Sequence, residues 1–281
     1  MLQRILGPQS SLRNASLLIS KKTSFPLPHF QKRSIHRVPQ LAHDAYFKKN
    51  GVPDLLSPAA FDFAWTQYQA LLVDKLNLLT QDTVDADAKP GELLAKYSRR
   101  REMASLFNYA SMAHNNHFFF NCLSPIRTEI PEAFAVTIAD SGSSIESMKL
   151  DFLATANAMF GPGFVWLCSP YPTAYSRRQS VDMATHEPGP HRHNDYAGFM
   201  GEFSRNQKTM APGAIDIQPI LCVNTWEHVW LMDYGIGGKA DYLERWWDSI
   251  NWEVVVDNYN AVPVRNQTQP QANSHRSISV L

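Results

Sequence analysis

The sequence predicts an α+β protein, with an N-terminal antiparallel α-hairpin followed by an α/β domain with a small sheet. Apolar residues recur at helical spacing through the first half of the chain, and two short runs rich in β-forming residues come only after residue 160. Hydrophobic residues make up 44% of the 281 residues and aromatic residues 11%, which is enough for a sizeable core. No apolar run approaches the roughly 20 residues of a membrane-spanning helix.

The two helices of the hairpin are marked by their ends as well as by their spacing. Ser57 and Pro58 suit the N-cap and the first position of a helix, and the apolar residues that follow share one face. After a polar loop at 80–91, a second helical segment extends to about Phe120 and ends before Pro125. Two long helices with a short connection predict an antiparallel pair.

The second half of the chain mixes helices with strands. A capping-box sequence at Ser143–Glu146 opens a third helix. The apolar runs at 163–168 and 219–223 predict strands, and helical patterns return at 242–247 and 250–259.

The first 43 residues differ in composition from the rest. They contain seven basic residues and six serines but neither Asp nor Glu, which is typical of a mitochondrial transit peptide. An arginine two residues before the cut favours cleavage near Arg33–Ile35, and a disordered basic arm that binds nucleic acid is the alternative. The chain then divides into a transit peptide at 1–37, an α-hairpin domain at 38–125, an α/β domain at 132–260 with an inserted loop at 169–215, and a polar tail at 261–281.

Charge and cysteine usage narrow the function classes. Beyond residue 43, 19 basic residues stand against 26 acidic ones, a net charge near −7, so this part of the chain is a poor non-specific binder of phosphate backbones. Cys122, Cys168 and Cys222 are odd in number and far apart, which excludes a disulfide scaffold and a Cys-x-x-Cys zinc site. We expect reduced thiols in a reducing compartment.

Four segments, in order along the chain, carry a family resemblance. They read Asn-Asn-His-Phe-Phe-Phe-Asn-Cys-Leu-Ser-Pro at 115–125, Phe-Gly-Pro-Gly-Phe-Val-Trp-Leu at 160–167, Asn-Thr-Trp-Glu-His-Val-Trp-Leu-Met-Asp-Tyr at 224–234, and Tyr-Leu-Glu at 242–244 with Asn-Trp at 251–252. Together they resemble the end of the second helix, the two main motifs and the C-terminal helices of the iron/manganese superoxide dismutases. The resemblance covers about residues 38 to 260 and implies the fold of that family.

The same resemblance implies one redox metal held by three histidines and one aspartate. The histidine of the first helix falls on Ala64 and that of the second helix on Asn116, while the aspartate falls on Asn224. Only the fourth ligand is retained, as His228. Alanine has no donor atom, and asparagine offers only a neutral carbonyl oxygen, a weak donor for a transition metal.

Neighbouring residues do not restore this ligand set. His117 follows Asn116, but one step along a helix turns a side chain by about 100°, and His114 is turned the opposite way. The gateway tyrosine of the family aligns with Leu72, and the glutamine of its second helix aligns with Met112. We therefore expect no cofactor and no catalytic residue.

A second group of candidate metal ligands lies in the inserted loop. Residues 186–195 contain three histidines and two carboxylates, and a His-x-His pair can chelate zinc. The Pro and Gly residues around them favour a surface loop over a metal site, and a loop grafted on a retained fold is where new partner contacts are built. The candidate contacts to RNA or to an acidic protein face are Arg177, Arg178, Arg192, His193 and Arg205.

The Glu-His pair of the third motif is retained although the ligand set is not. In the dismutases this glutamate reaches across the dimer axis to the metal-ligand histidine of the partner, which implies a dimer interface at Glu227 and His228. A carboxylate buried in an interface needs a partner, so we expect two-fold pairing with another dismutase-like chain, a paralogue rather than a second copy. The alternative is that His228 is an ordinary core histidine and that the pair has no present role.

A dismutase fold without its metal, in a chain addressed to mitochondria, resembles the dismutase-like proteins of the mitochondrial small ribosomal subunit. The resemblance implies a non-catalytic structural component of that subunit in the mitochondrial matrix. Its partners would be other proteins of the subunit, with limited contact to ribosomal RNA and none to a membrane. Two alternatives remain, a divergent iron/manganese dismutase with an unusual ligand set and a matrix assembly factor or adaptor on the same fold.

Overall fold

The computed structural model describes residues 36–98, 100–170, 182–186 and 217–261, with the backbone alone at 169–170, 182–186 and 217–218. The predicted transit peptide up to residue 35, most of the inserted loop and the tail beyond residue 261 lie outside the described residues.

The first half of the described chain is helical. Ser57 caps the second helix as predicted, because its Oγ accepts a hydrogen bond of 3.2 Å from the Ala60 amide. The elements are α1 (Asp44–Asn50), α2 (Pro58–Phe61), a π-helical segment (Asp62–Gln67), α3 (Tyr68–Thr80), α4 (Pro90–Tyr97), a 3₁₀ turn (Arg101–Met103) and α5 (Ala104–Asn121).

The second half combines helices with a three-stranded antiparallel sheet in the order β2-β1-β3. Ser144 caps α7 by accepting a hydrogen bond from the Ser147 amide at 3.1 Å. The elements are α6 (Glu132–Asp140), α7 (Ile145–Ala158), β1 (Phe164–Pro170), β2 (Asp182–His186), β3 (Ile217–Asn224), α8 (Glu227–Tyr234), α9 (Lys239–Asp248) and α10 (Trp252–Asn260).

The predicted strands pair with each other, and a further strand joins them. β1 and β3 pair from Phe164↔Asn224 onwards, with an irregularity between Leu167 and Cys168. Residues 182–186, assigned from sequence to the inserted loop, form β2 on the other side of β1. His186 therefore ends a strand, whereas the other two histidines of that group lie outside the described residues.

The helices α2 and α3 pack against α5 through contacts that run in opposite directions along the chain. The rings of Phe61 and Phe120 lie 5.5 Å apart, and Gln69 Nε2 donates to the Ala113 carbonyl at 2.9 Å. A smaller core cluster fills the space between α3, α4 and α5. Its buried members are Leu72, Leu76, Leu93, Leu94, Tyr97, Leu106, Phe107, Ala110 and Ala113.

The second predicted helix is two helices. α4 ends at Tyr97, and α5 begins at Ala104 after the 3₁₀ turn. Asp85, in the preceding loop, accepts hydrogen bonds from Lys96 Nζ and from the Tyr97 hydroxyl. These contacts tie the end of α4 to the loop, and no Gly or Pro at 98–103 marks the break in the sequence.

The larger core cluster draws residues from both sides of the predicted boundary at 125–132. Phe61 and Phe119 belong to it together with Phe152, Val223 and Trp246. One continuous apolar core thus holds the first helices against the sheet and the C-terminal helices. Within the described part of the chain, no helix has the length and apolar character needed to cross a membrane.

The segment before α1 is tied to the body of the protein. The His36 amide donates to Asn77 Oδ1 at 2.9 Å, and Asn77 Nδ2 donates to the His36 carbonyl at 3.0 Å. His36 Nε2 lies 3.0 Å from Thr80 Oγ1. Residues 36 and 37, counted with the transit peptide from sequence, therefore belong to a segment that the fold holds.

Candidate functional site

The positions that align with the dismutase ligands come together in this fold. Ala64 lies in the π-helical segment, Asn116 in α5 and Asn224 at the end of β3, and all three are fully buried. Asn116 Nδ2 donates to the Ala64 carbonyl at 3.3 Å, and Asn224 Nδ2 donates to Asn116 Oδ1 at 3.4 Å. His228, in the first turn of α8, packs its ring on Tyr68 with centroids 4.2 Å apart.

A chain of amide groups, Gln69–Asn116–Asn224, occupies these positions, and we call it the amide network. Gln69 Oε1 accepts from Asn116 Nδ2 at 3.0 Å, and Gln69 Nε2 donates to the Ala113 carbonyl. Asn224 Oδ1 accepts from the Trp226 amide at 3.0 Å. Every side-chain oxygen of the network is thus already an acceptor, as buried polar groups require.

His228 has one ring nitrogen without a partner. Its Nε2 is buried and makes no hydrogen bond, and burial lowers the pKa of the imidazole to about 4. The ring is therefore neutral at physiological pH, and an unprotonated Nε2 is the less costly form because a buried N–H without an acceptor is disfavoured.

These residues do not fit the metal that the dismutase fold implies. The Ala64 side chain has no donor atom, the asparagine oxygens are neutral and already accept hydrogen bonds from N–H groups, and of the four aligned side chains His228 alone offers an unbonded nitrogen donor. Among the residues that the structure describes, no three His, Cys, Asp or Glu side chains are grouped closely enough to hold a metal ion. A stable transition-metal site in a protein needs more donors than one imidazole.

The neighbouring histidines lie elsewhere. His117 places its ring on Trp65 at 5.9 Å, and burial lowers the pKa of His117 and of His114. Leu72 is buried in the smaller core cluster, and Met112 packs between the two clusters. Neither the gateway tyrosine nor the second-helix glutamine of the dismutases has a polar counterpart at its aligned position.

Gln69 is the member of the amide network that sequence reasoning missed. It is polar on a mostly apolar helix, and its partners Ala113 and Asn116 lie 44 and 47 residues further along the chain. The only available signal was a glutamine between apolar residues of a helix with an otherwise buried face.

Glu227 and His228 lie where α8 begins. Glu227 is exposed at the positive end of the helix, which favours its charge. Lys239 Nζ donates to the Met159 carbonyl at 2.7 Å; burial lowers the pKa of Lys239, and the charge of Glu227 opposes that shift. Phe160, directly after Met159, is fully exposed. Phe160 is the first residue of the 160–167 motif, and no separate role was predicted for it from the sequence.

The other predicted contacts are not described. Arg177, Arg178, Arg192, His193 and Arg205 all lie outside the described residues. The contact function assigned to them from sequence stays a prediction.

The three cysteines are buried and form no disulfide. Burial raises the pKa of Cys122 to about 12 and that of Cys222 well above its ordinary value. Because the thiolate is the reactive form, Cys122 and Cys222 act as apolar core residues rather than nucleophiles.

The buried His228 makes stability depend on pH. The pKa of His228 is about 4 in the folded chain and about 6.5 in the unfolded chain. Between these two pH values the unfolded state binds a proton at His228 that the folded state does not bind. We expect this group to remove about 2 kcal/mol of unfolding free energy between pH 7 and pH 4.5. Urea unfolding of the wild type and of His228→Gln at both pH values measures it.

The other buried histidines control this comparison. His36, His114 and His117 also have lowered pKa values, mainly through burial, and they add a loss of the same sign in both proteins. An identical pH dependence in the wild type and in His228→Gln would contradict the assignment.

Comparisons with known proteins agree with this geometry. The family model described as iron/manganese superoxide dismutases, C-terminal domain, matches residues 200–258. Small ribosomal subunit protein mS42 of Schizosaccharomyces pombe is 31% identical over 186 residues, which cover 63% of this chain and 76% of that protein.

Two further relatives span more of this chain at lower identity. Small ribosomal subunit protein mS43 of the same yeast is 27% identical over 245 residues, which cover 78% of this chain and 82% of that protein. The superoxide dismutase [Fe] of Helicobacter pylori is 27% identical over 213 residues, which cover 76% of this chain and 85% of that enzyme. The chain therefore belongs to the dismutase-like family that includes small ribosomal subunit protein mS42 and shares the C-terminal domain of the iron/manganese superoxide dismutases.

Proposed function

We propose that this protein is a structural component of the mitochondrial small ribosomal subunit, built on a dismutase fold that has exchanged its metal for the amide network. The observation that carries the proposal is the 31% identity to a small ribosomal subunit protein over 76% of that protein's length. The amide network agrees with it, because it joins the π-helical segment, α5 and β3 by neutral hydrogen bonds that need no ion.

Sedimentation tests this function. Mitochondrial lysate is run through a high-salt sucrose gradient, and we expect the chain in the fractions of the small subunit. A matrix adaptor or assembly factor would leave the subunit at high salt and stay at the top of the gradient, which would contradict the proposal.

Loss of catalysis is a separate expectation. The purified chain should hold no stoichiometric iron or manganese and should not dismute superoxide, because one imidazole remains where the family has four ligands. Elemental analysis and a superoxide assay on protein grown with added iron and manganese measure this, with an iron dismutase prepared alongside as the positive control. About one metal ion per chain, together with activity that is lost in His228→Ala, would support the divergent-enzyme alternative instead.

Import into the matrix predicts a processed N-terminus. We expect the mature chain to begin near Ser34, since cleavage near Arg33–Ile35 removes the acid-free basic segment and leaves His36 with its bonds to Asn77. N-terminal sequencing of the protein from mitochondria measures the first residue. A chain that began at Met1, or after residue 37, would contradict this expectation.

We also propose that the chain pairs two-fold with a second dismutase-like chain through the surface formed by Glu227, His228 and Phe160. Lys239 links the two exposed residues, since it bonds to the Met159 carbonyl next to Phe160 and feels the charge of Glu227. An exposed phenylalanine and an exposed carboxylate suit the apolar centre and polar contact of an interface. Schizosaccharomyces pombe has two different relatives of this chain, and an asymmetric particle such as a ribosome accommodates two different chains more readily than two copies.

The framework behind this surface is the proposed antiparallel hairpin of α3 and α5. The contacts of Phe61 with Phe120 and of Gln69 with Ala113 follow in reversed order along the two segments and support this hairpin. Between them, Asn116 Nδ2 bonds to the Ala64 carbonyl. The arginines of the inserted loop remain candidates for additional contacts on the particle.

A further inference from the structure

The connection between α4 and α5 concentrates positive charge in an otherwise acidic chain. Four of the 19 basic residues beyond residue 43 fall within six positions, at Lys96, Arg99, Arg100 and Arg101. No acidic residue lies between Leu93 and Arg101. This density contrasts with the net charge near −7 of the same part of the chain.

The structure describes three of these four cations, all but Arg99, and separates them into one that is paired and two that are not. Lys96 forms an ion pair with Asp85, so its charge is compensated. Arg100 and Arg101 are exposed and form no ion pair with any described residue. The two adjacent lysines of α1, Lys48 and Lys49, differ from these arginines because Lys48 forms an ion pair with Asp44.

The backbone holds the two arginines in a fixed turn. The Arg100 amide donates to the Tyr97 carbonyl at 3.0 Å, and the Met103 amide donates to the Arg100 carbonyl at 3.0 Å. The Arg100 guanidinium lies 5.7 Å from the centre of the buried Tyr97 ring, which favours a cation. The turn is itself anchored by the bond between Tyr97 and Asp85.

We infer that Arg100 and Arg101 bind the phosphate backbone of RNA; this inference rests on the proposed ribosomal function and names a surface for its RNA contact. Guanidinium groups match phosphate oxygens with two parallel hydrogen bonds. A protein partner would need an apolar centre, but none of the large apolar side chains that are exposed in the described residues lies between 96 and 105. An interface with RNA backbone is polar and positive, as this turn is.

This surface is distinct from the proposed pairing surface. α5 begins directly after the turn, and Asn116 lies 12 residues further on, about 18 Å along the helix axis. Asn116 in turn bonds to Asn224, three residues before Glu227, so the turn and the start of α8 lie toward opposite ends of α5.

The test compares the affinity of the mature chain for a 20-base-pair RNA duplex of arbitrary sequence at several salt concentrations. In Arg100→Gln/Arg101→Gln we expect affinity about tenfold or more weaker at 0.1 M salt, and a slope of log affinity against log salt that is smaller by about 2, since each lost phosphate contact removes almost one counterion. The matched control is Lys48→Gln/Lys49→Gln, which removes the same charge and should change affinity less than threefold.

Arg101→Gln alone controls for an effect of the double substitution on folding, because Arg101 makes none of the ring contacts of Arg100. In this variant the slope of log affinity against log salt should be smaller by about 1. Arg100→Lys/Arg101→Lys should keep the slope of the wild type, because the charge remains. Two results would overturn the inference. One is an equal loss of affinity in Arg100→Gln/Arg101→Gln and in Lys48→Gln/Lys49→Gln, and the other is the absence of measurable binding by the wild type.

Sedimentation distinguishes an error in the proposed RNA surface from an error in the proposed ribosomal function. If the arginine variant binds the duplex like the wild type but the chain sediments with the small subunit, the RNA surface is wrong and the ribosomal function stands. If the arginine variant loses a protein neighbour from the particle while RNA binding is unchanged, the turn binds an acidic protein and the inference is likewise wrong. A wild-type chain that never sediments with the subunit overturns the proposed function itself.

Discussion

Replacing Glu227 with alanine is expected to weaken pairing with the second dismutase-like chain by about 2–5 kcal/mol, which is at least thirtyfold in the dissociation constant. Glu227 is exposed in the isolated chain, so the interface must desolvate its carboxylate and supply a hydrogen-bond donor. Truncating one member of such a pair leaves the other buried and unpaired. The dissociation constant of the purified complex, measured by calorimetry, gives the effect directly.

Glu253→Ala is the matched control for this variant. Both glutamates are exposed acidic residues in the first turn of a helix, Glu227 in α8 and Glu253 in α10. Each substitution should therefore lower the unfolding free energy of the isolated chain by less than about 1 kcal/mol through the lost helix-dipole interaction. Pairing of unchanged affinity in Glu227→Ala, or a loss of the same size in Glu253→Ala, would show that the retained motif does not serve an interface.

The exposed Phe160 supplies a second variant for the same measurement. An aromatic side chain at the centre of an interface typically contributes about 2 kcal/mol or more, so Phe160→Ala should also weaken pairing. Val84→Ala serves as its control, because Val84 is nearly as solvent-exposed but lies in the loop after α3. If both variants paired normally, the apolar contact would have to lie elsewhere.

Local signals in the sequence predicted the elements that local chemistry determines. The cap at Ser57 and the apolar runs of β1 and β3 appear where their residue types require them, and the helix predicted from the Ser143–Glu146 pattern forms with its cap one residue later, at Ser144. Such features need no knowledge of distant residues, since a serine cap bonds to an amide only three positions away.

Features that depend on distant partners could not be predicted in this way. The break between α4 and α5 is fixed by Asp85 acting on Tyr97 across a loop, and β2 forms because β1 offers it an edge. The exposure of Phe160 likewise depends on which surfaces the neighbouring helices leave uncovered.

The candidate site falls between these two cases. Family resemblance aligned Ala64, Asn116, Asn224 and His228, and the fold brings the first three into hydrogen-bond contact. The resemblance identified what had been lost at these positions. It contained no information on Gln69, because no ligand or motif of the family pointed to that residue.

Asn116→Leu is expected to lower the unfolding free energy by about 3 kcal/mol, the largest effect on stability that we predict. Leucine has the branched shape and the heavy-atom count of asparagine but a larger volume and no polar atom, so the buried Ala64 carbonyl, Gln69 Oε1 and Asn224 Nδ2 would each lose a partner. A buried polar group left without its hydrogen bond costs about 1–3 kcal/mol, and part of this is recovered when side chains relax. Urea unfolding at pH 7 measures the change.

Asn115→Leu is a control that differs by one position in the same helix. Asn115 is as fully buried as Asn116, but its Oδ1 has no partner and its Nδ2 makes one bond, of 3.3 Å, to Ser111 Oγ. Removing it eliminates an unpaired buried oxygen, and Ser111 Oγ loses only one long hydrogen bond that it accepts, so the expected loss is below about 1 kcal/mol beyond the cost of the added volume, which both variants share. If the two variants unfolded at the same urea concentration, burial alone would explain Asn116, and the amide network would not be what joins the π-helical segment, α5 and β3.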